Sequence, residues 1–209
     1  MNLASYRHWY FSLFSLFCLI VAIVGFWDNL VSDIHQPSNS DPKFIVHGML
    51  CLGWMVSFAL QANLIRLKQV GLHRRLGNWG FLVGLGVVIS TLWVFIAVWK
   101  GWDAMPDFVR ANRLLMLTYA IAIGLSWHWR SRPALHKRLA AWATLFMQMP
   151  ILDRALPDSN FTLPLWLAMI ASLFVYDLAL DRKIRTVTLA GLAAWGSSFA
   201  VAVLALPGG

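Results

Sequence analysis

Residues 47–80 read HGMLCLGWMVSFALQANLIRLKQVGLHRRLGNWG. A histidine stands just inside an apolar run of about twenty residues, the length a helix needs to cross a bilayer. The run closes on a basic knot, His73-Arg74-Arg75-Leu76-Gly77, which opens the next apolar run. The knot returns 63 positions later: GLHRRLGNWG, Gly71 to Gly80, is matched by ALHKRLAAWA, Ala134 to Ala143. The reading of the whole chain depends on this stretch and its echo.

Of the 209 residues, 59% are hydrophobic and 12% are charged. A soluble domain carries about 25% charged residues, so this chain needs lipid as its solvent. Lipid offers no partners to backbone groups, and spans must be helices or closed barrels. The apolar runs are too long and continuous for barrel strands. The expected fold is all-α: one polytopic membrane domain with seven transmembrane helices, near 9–27, 43–65, 76–99, 108–129, 135–152, 161–180 and 187–206. The first run resembles a signal peptide, but no small-x-small cleavage site follows Trp27, so it reads as a retained helix. Pro150 cannot bond the Phe146 carbonyl and should kink the fifth span.

The formal charge is +8 and all nine acidic residues are aspartates. Nucleic acid is not needed to explain the excess. With the N-terminus in the cytoplasm, the inner segments hold Arg7, Arg66, Lys68, Arg74, Arg75, Arg130, Arg132, Lys137, Arg138, Arg182, Lys183 and Arg185. The outer segments hold the remaining five cations and seven of the nine aspartates. This is the positive-inside pattern, and it puts the C-terminus outside. Cys18 and Cys51 lie in apolar runs and suggest no disulfide.

The repeat superposes the second span on the fourth and the third on the fifth, in the same direction. It implies a parallel duplication of a helical hairpin, a four-helix core with approximate two-fold symmetry about the membrane normal.

Polar groups inside a membrane are costly and mark candidate sites. His73 and His136 occupy matching repeat positions at similar depth, the arrangement that bis-imidazole haem ligation needs. Arg74, Arg75, Lys137 and Arg138 stand beside them as partners for haem propionates. The other reading of the knots is orientation and lipid-headgroup contact. Towards the outer side, His47, Arg113, Asp153 and Arg154, with Asp28 nearby, form either a structural Arg113–Asp153 ion pair or a pocket for an anionic or quinone-like ligand. Asp177 shares a helix face with Asp181 and matches the inner arginines in depth, so it should lock the sixth span onto the repeat core. Gln61, Asn63 and Gln148 read as interhelical hydrogen-bond groups. HxxxH, GxSxG and P-loop patterns are absent from the sequence.

His47, Trp54, Gln61, His73-Arg74-Arg75-Leu76-Gly77, His136-Lys137-Arg138-Leu139 and Tyr176-Asp177 together resemble a family of uncharacterised bacterial multi-span membrane proteins, over about Phe44 to Arg185. That resemblance implies a bacterial inner membrane and supplies no activity. More distantly, the arrangement is similar to the ascorbate-reducible di-haem b-type cytochromes, in which four core helices each give one histidine. Their pattern would make His47, His73 and His136 three of four ligands. The fourth position falls near Arg110 to Arg113, which holds no histidine, so one complete site survives, from His73 and His136.

Three functions fit these residues. The first is a binding or scaffolding protein whose His/Arg clusters contact lipid. The second is a redox protein with one haem b on His73 and His136. The third is a small transporter, or an enzyme acting on a lipid-soluble substrate such as a quinone, at the His47/Arg113 pocket.

Overall fold

The computed structural model describes residues 3–157 and 160–204, all in helices and short connections. Asp158, one of the outer aspartates, and the last two residues of the seventh expected span lie outside the described residues, as does the Arg7 side chain. Eight α-helices follow in order: α1 Leu3–Gly25, α2 Pro42–Arg66, α3 Val70–Ala97, α4 Asp107–His128, α5 Pro133–Phe146, α6 Gln148–Ala155, α7 Thr162–Asp181 and α8 Thr186–Leu204. A π-helical turn, Asp28–Ser32, and a 3₁₀ turn, Pro37–Asn39, fill the connection from α1 to α2.

Five helices, α2, α3, α4, α7 and α8, are long and apolar enough to cross a membrane. The chain is a multi-pass membrane protein. Two expected spans take a different form. The apolar described part of α1 is shorter, Trp9–Gly25. The fifth expected span is divided at Met147 into α5 and α6. Pro150 is the cause: it has no N–H for the Phe146 carbonyl, and the ladder stops one residue later.

Local signals set the helix ends. Asp41 caps α2, its carboxylate accepting from the Lys43 N–H at 3.1 Å, with Pro42 in the first turn. Pro133 opens α5 in the same way. The α2–α3 turn closes on Lys68 at φ 61° and α7 closes on Arg182 at φ 57°. Both use the left-handed residue that reverses the chain after a helix.

The centre of the bundle is built on Trp54 of α2. Its indole N–H donates to Thr144 Oγ1 of α5 at 3.2 Å. Its ring meets Tyr119 of α4 edge-on, 5.9 Å between centroids. It also packs against Gly84 of α3, where a Cβ would stand 3.0 Å from the indole. The Tyr119 hydroxyl donates to the Gly84 carbonyl at 3.3 Å. One aromatic side chain therefore joins the two helices of each hairpin, with its polar atom satisfied, as lipid-embedded packing demands.

Around this core, α8 packs on α4 and α5, and α1 packs on α2 and α6. The α5–α8 contact depends on Gly191, because a Cβ there would fall 2.1 Å from the Trp142 ring. Gly191→Ala is expected to separate α8 from α5 and cost about 1–3 kcal/mol. Gly196→Ala, with nothing within 4 Å of the added carbon, should leave stability unchanged or slightly raised. Thermal melting of both variants in the same detergent checks this.

Candidate functional site

The two basic knots meet. His73 in the first turn of α3 and His136 in the first turn of α5 face each other, ring centroids 6.2 Å apart and planes at 84°.

Each ring is held at Nδ1 by the helix that precedes it. His136 Nδ1 lies 2.9 Å from the Ser126 carbonyl, which can only accept, so Nδ1 carries the proton. Ser126 Oγ lies 3.0 Å from the same nitrogen and 3.3 Å from the His136 carbonyl. The lone pair of His136 is therefore on Nε2. His73 Nδ1 lies 3.2 Å from the Gln61 carbonyl, and here the Gln61 side chain decides the tautomer. With its amide oxygen towards the ring, Nδ1–H has two acceptors and Nε2 is bare. With the amide turned, its nitrogen donates to the His73 carbonyl at 3.0 Å and to Nδ1 at 2.6 Å, and its oxygen accepts from the Gly77 N–H at 3.2 Å. The ring proton then sits on Nε2. The turned amide satisfies both of its own polar groups, so the His73 ring proton belongs on Nε2, and ligation there would need that proton to move to Nδ1.

The donor set discriminates between metals. Among the described residues no group of three or more His, Cys, Asp or Glu side chains could hold a metal ion. A bare zinc site needs three or four protein ligands, and two imidazoles fall short. A haem iron brings four ligands of its own and needs only axial partners. Two facing imidazoles would supply the only protein ligands that such an iron lacks. One turn further into the bundle from each histidine stands a small residue, Gly77 and Ala140. Even a Cβ on Gly77 would meet only the Gln61 amide oxygen, at 3.8 Å. The donor set, two histidines with no third ligand among the described residues, would suit a haem better than a bare metal ion.

The neighbouring cations do not divide as the sequence suggests. Arg138, expected beside a propionate, is fully buried in an ion cluster. Its Nε donates to Asp177 Oδ1 at 2.8 Å and its Nη2 to Asp181 Oδ2 at 2.9 Å. Asp177 is itself fully buried and accepts at Oδ2 from Thr188 Oγ1 at 2.6 Å and the Arg185 N–H at 2.9 Å. The cost of desolvating a guanidinium is met only by such complete pairing, so Arg138 cannot also serve a ligand. Asp177 joins α7 to α5 and reaches α8 as well. Lys137 donates to the Tyr176 hydroxyl and lies over the Phe11 ring. Arg74 and Arg75 remain exposed on α3.

The other polar candidates are also rearranged. Arg113 does not meet Asp153. Its guanidinium is stacked 4.4 Å over the Phe95 ring, donates to the Phe95 carbonyl at 3.3 Å and points Nε at Met105 Sδ. It is tied to the α3–α4 end of the bundle, whereas Asp153 is exposed on α6. His47 and Arg154 do share a cavity, which Arg113 and Asp153 do not line. Sequence reasoning missed the roof of that cavity, Asn29, Ser38 and Asn39. The density of Asn, Ser and Pro in segment 28–42 was the signal available.

No family model, curated protein or solved structure matches the chain.

The ion cluster gives a stability test. Asp177→Ala leaves the buried guanidinium with Asp181, which it shares with Arg185, and the Ala134 carbonyl, and should cost about 2–4 kcal/mol. Arg138→Met combined with Asp177→Leu should recover most of that loss. Melting temperatures of the two variants in one detergent distinguish a buried pair from an exposed one, for which the single change would cost less than about 1 kcal/mol.

Proposed function

We propose that this protein is a bacterial inner-membrane haem protein, with one b-type haem bound between the two duplicated hairpins by His73 and His136. The observation that carries the reading is the facing pair of repeat-related imidazoles at 6.2 Å, each with Nδ1 beside a backbone carbonyl. His136 donates its Nδ1–H to the Ser126 carbonyl, as metal-bound histidines typically do with their second nitrogen, which fixes the ring and raises its basicity. Arg74, exposed and adjacent to His73, is positioned for a propionate at the cytoplasmic face. When bound, the haem supplies one-electron chemistry; the chain's own residues supply axial ligation, orientation and tuning. The contact between the two knots also supports the duplicated four-helix core and a seven-span topology in which α5 and α6 together form the fifth crossing.

A second reading is favoured by the exposure of Arg74, Arg75 and Trp79 along α3. A cationic edge above a tryptophan suits anionic lipid headgroups, and a lipid-contacting or scaffolding role would need no cofactor.

Visible spectra separate the two. Protein expressed with haem supplementation should show a Soret band and sharp α and β bands after dithionite. His73→Ala and His136→Ala should each abolish the low-spin form; no haem in the parent, or a low-spin spectrum surviving both changes, would overturn the assignment. Gln61→Glu offers only acceptors to His73 Nδ1–H. It should raise ligand basicity and lower the reduction potential, measured by redox titration of the α band.

A further inference from the structure

Two guanidiniums are deeply buried along the bundle, and their surroundings differ. Arg138 is enclosed by two aspartates. Arg113 is 9% exposed and has no carboxylate within ion-pair distance among the described residues. It stands in the second turn of α4, beside the last turn of α3, at the end of the bundle away from the histidine pair.

The groups around Arg113 are neutral. Nε points at Met105 Sδ at 3.0 Å, and Nη1 donates to the Phe95 carbonyl at 3.3 Å. The guanidinium lies over the Phe95 ring at 4.4 Å and the Trp99 ring at 5.1 Å. Ring faces and one carbonyl offset part of the desolvation cost, but the formal charge stays uncompensated. Nη2 has no partner among the described residues, yet it is not sealed inside. Its N–H donors therefore reach the molecular surface and call for an anion.

The surroundings say which anion. Helical rise puts Arg113 about 9 Å below the start of α4, and a long cationic side chain at that depth reaches up to the lipid phosphates. Trp99, 55% exposed, stands where tryptophans meet headgroups. Lys100 follows it, exposed and without an ion pair among the described residues. Asp107 pairs with Arg110. Ile89, Leu92 and Ile96 form one exposed stripe along α3 that runs towards Trp99, a bed for acyl chains.

We propose that Arg113 and Lys100 bind the headgroup of an anionic phospholipid, whose phosphodiester accepts from Arg113 Nη2 and whose chains lie along α3. This site does not depend on iron at the histidine pair. It is also separate from Arg74 and Arg75, which lie at the other end of α3.

The test uses the full chain in phosphatidylcholine nanodiscs with phosphatidylglycerol that carries a photoreactive diazirine in its headgroup. Peptide mass mapping locates the label, which is expected within residues 95–113. Unlabelled phosphatidylglycerol should suppress it at about one-tenth the concentration that phosphatidylethanolamine needs, the scale of one charge-assisted hydrogen bond. Arg113→Gln should remove the label. Lys100→Gln changes an exposed residue, so it should fold even if the Arg113 variant does not, and should weaken the label about threefold. No label in that segment, equal suppression by the two lipids, or an undiminished label in either variant would overturn the proposal. Suppression by inorganic phosphate in the buffer would also overturn it, and would assign the guanidinium to a free anion.

Discussion

Everything at the basic end of the bundle depends on where Arg138 spends its charge. A guanidinium buried without a partner is among the most costly groups a protein can hold. Asp177, Asp181 and the Ala134 carbonyl take it up, and in doing so they fix α7 against the first turn of α5. Thr188 and the Arg185 N–H complete the Asp177 carboxylate, so α8 is held by the same charge. The turn of α5 that carries His136 is thereby clamped by α7 and, through Asp177, by α8. His73 has no equivalent clamp: its ring orientation rests on Gln61.

That difference sets the two knots apart. Arg75 and Trp79 of α3 correspond to Arg138 and Trp142 of α5. In the second copy both are buried, the arginine by the aspartates of α7 and the tryptophan against Gly191 of α8. In the first copy both are exposed. Two hairpins with almost the same knot thus have different duties. One is a rigid anchor packed by the C-terminal helices, and the other presents cations and an aromatic ring at the bundle edge. The His136 ring is held by the α4 backbone carbonyl of Ser126, and the His73 ring leans on the Gln61 side chain.

Membrane residence was legible in the composition, and the pairing of His73 with His136 was legible in the 63-residue spacing of the knots. The Asp177 partnership followed from depth matching. The failures have physical reasons. Arg138 looked equivalent to Arg75 because the repeat carries no information about which copy α7 covers. Arg113 was matched to Asp153 by depth alone, yet depth says nothing of azimuth around the bundle, and Arg113 turns to the Phe95 and Trp99 rings instead. The roof over His47 was unreadable as structure because a polar segment without periodicity gives no register. Its folding rests on reciprocal amide bonds that only a folded chain brings together.

The central proposal is that His73 and His136 would together hold one haem, and low-temperature electron paramagnetic resonance of the oxidised, haem-supplemented protein tests it most directly. A low-spin ferric signal is expected in the parent chain and its loss in both His73→Ala and His136→Ala. An exclusively high-spin signal, no haem signal, or a low-spin signal that survives both changes would contradict it.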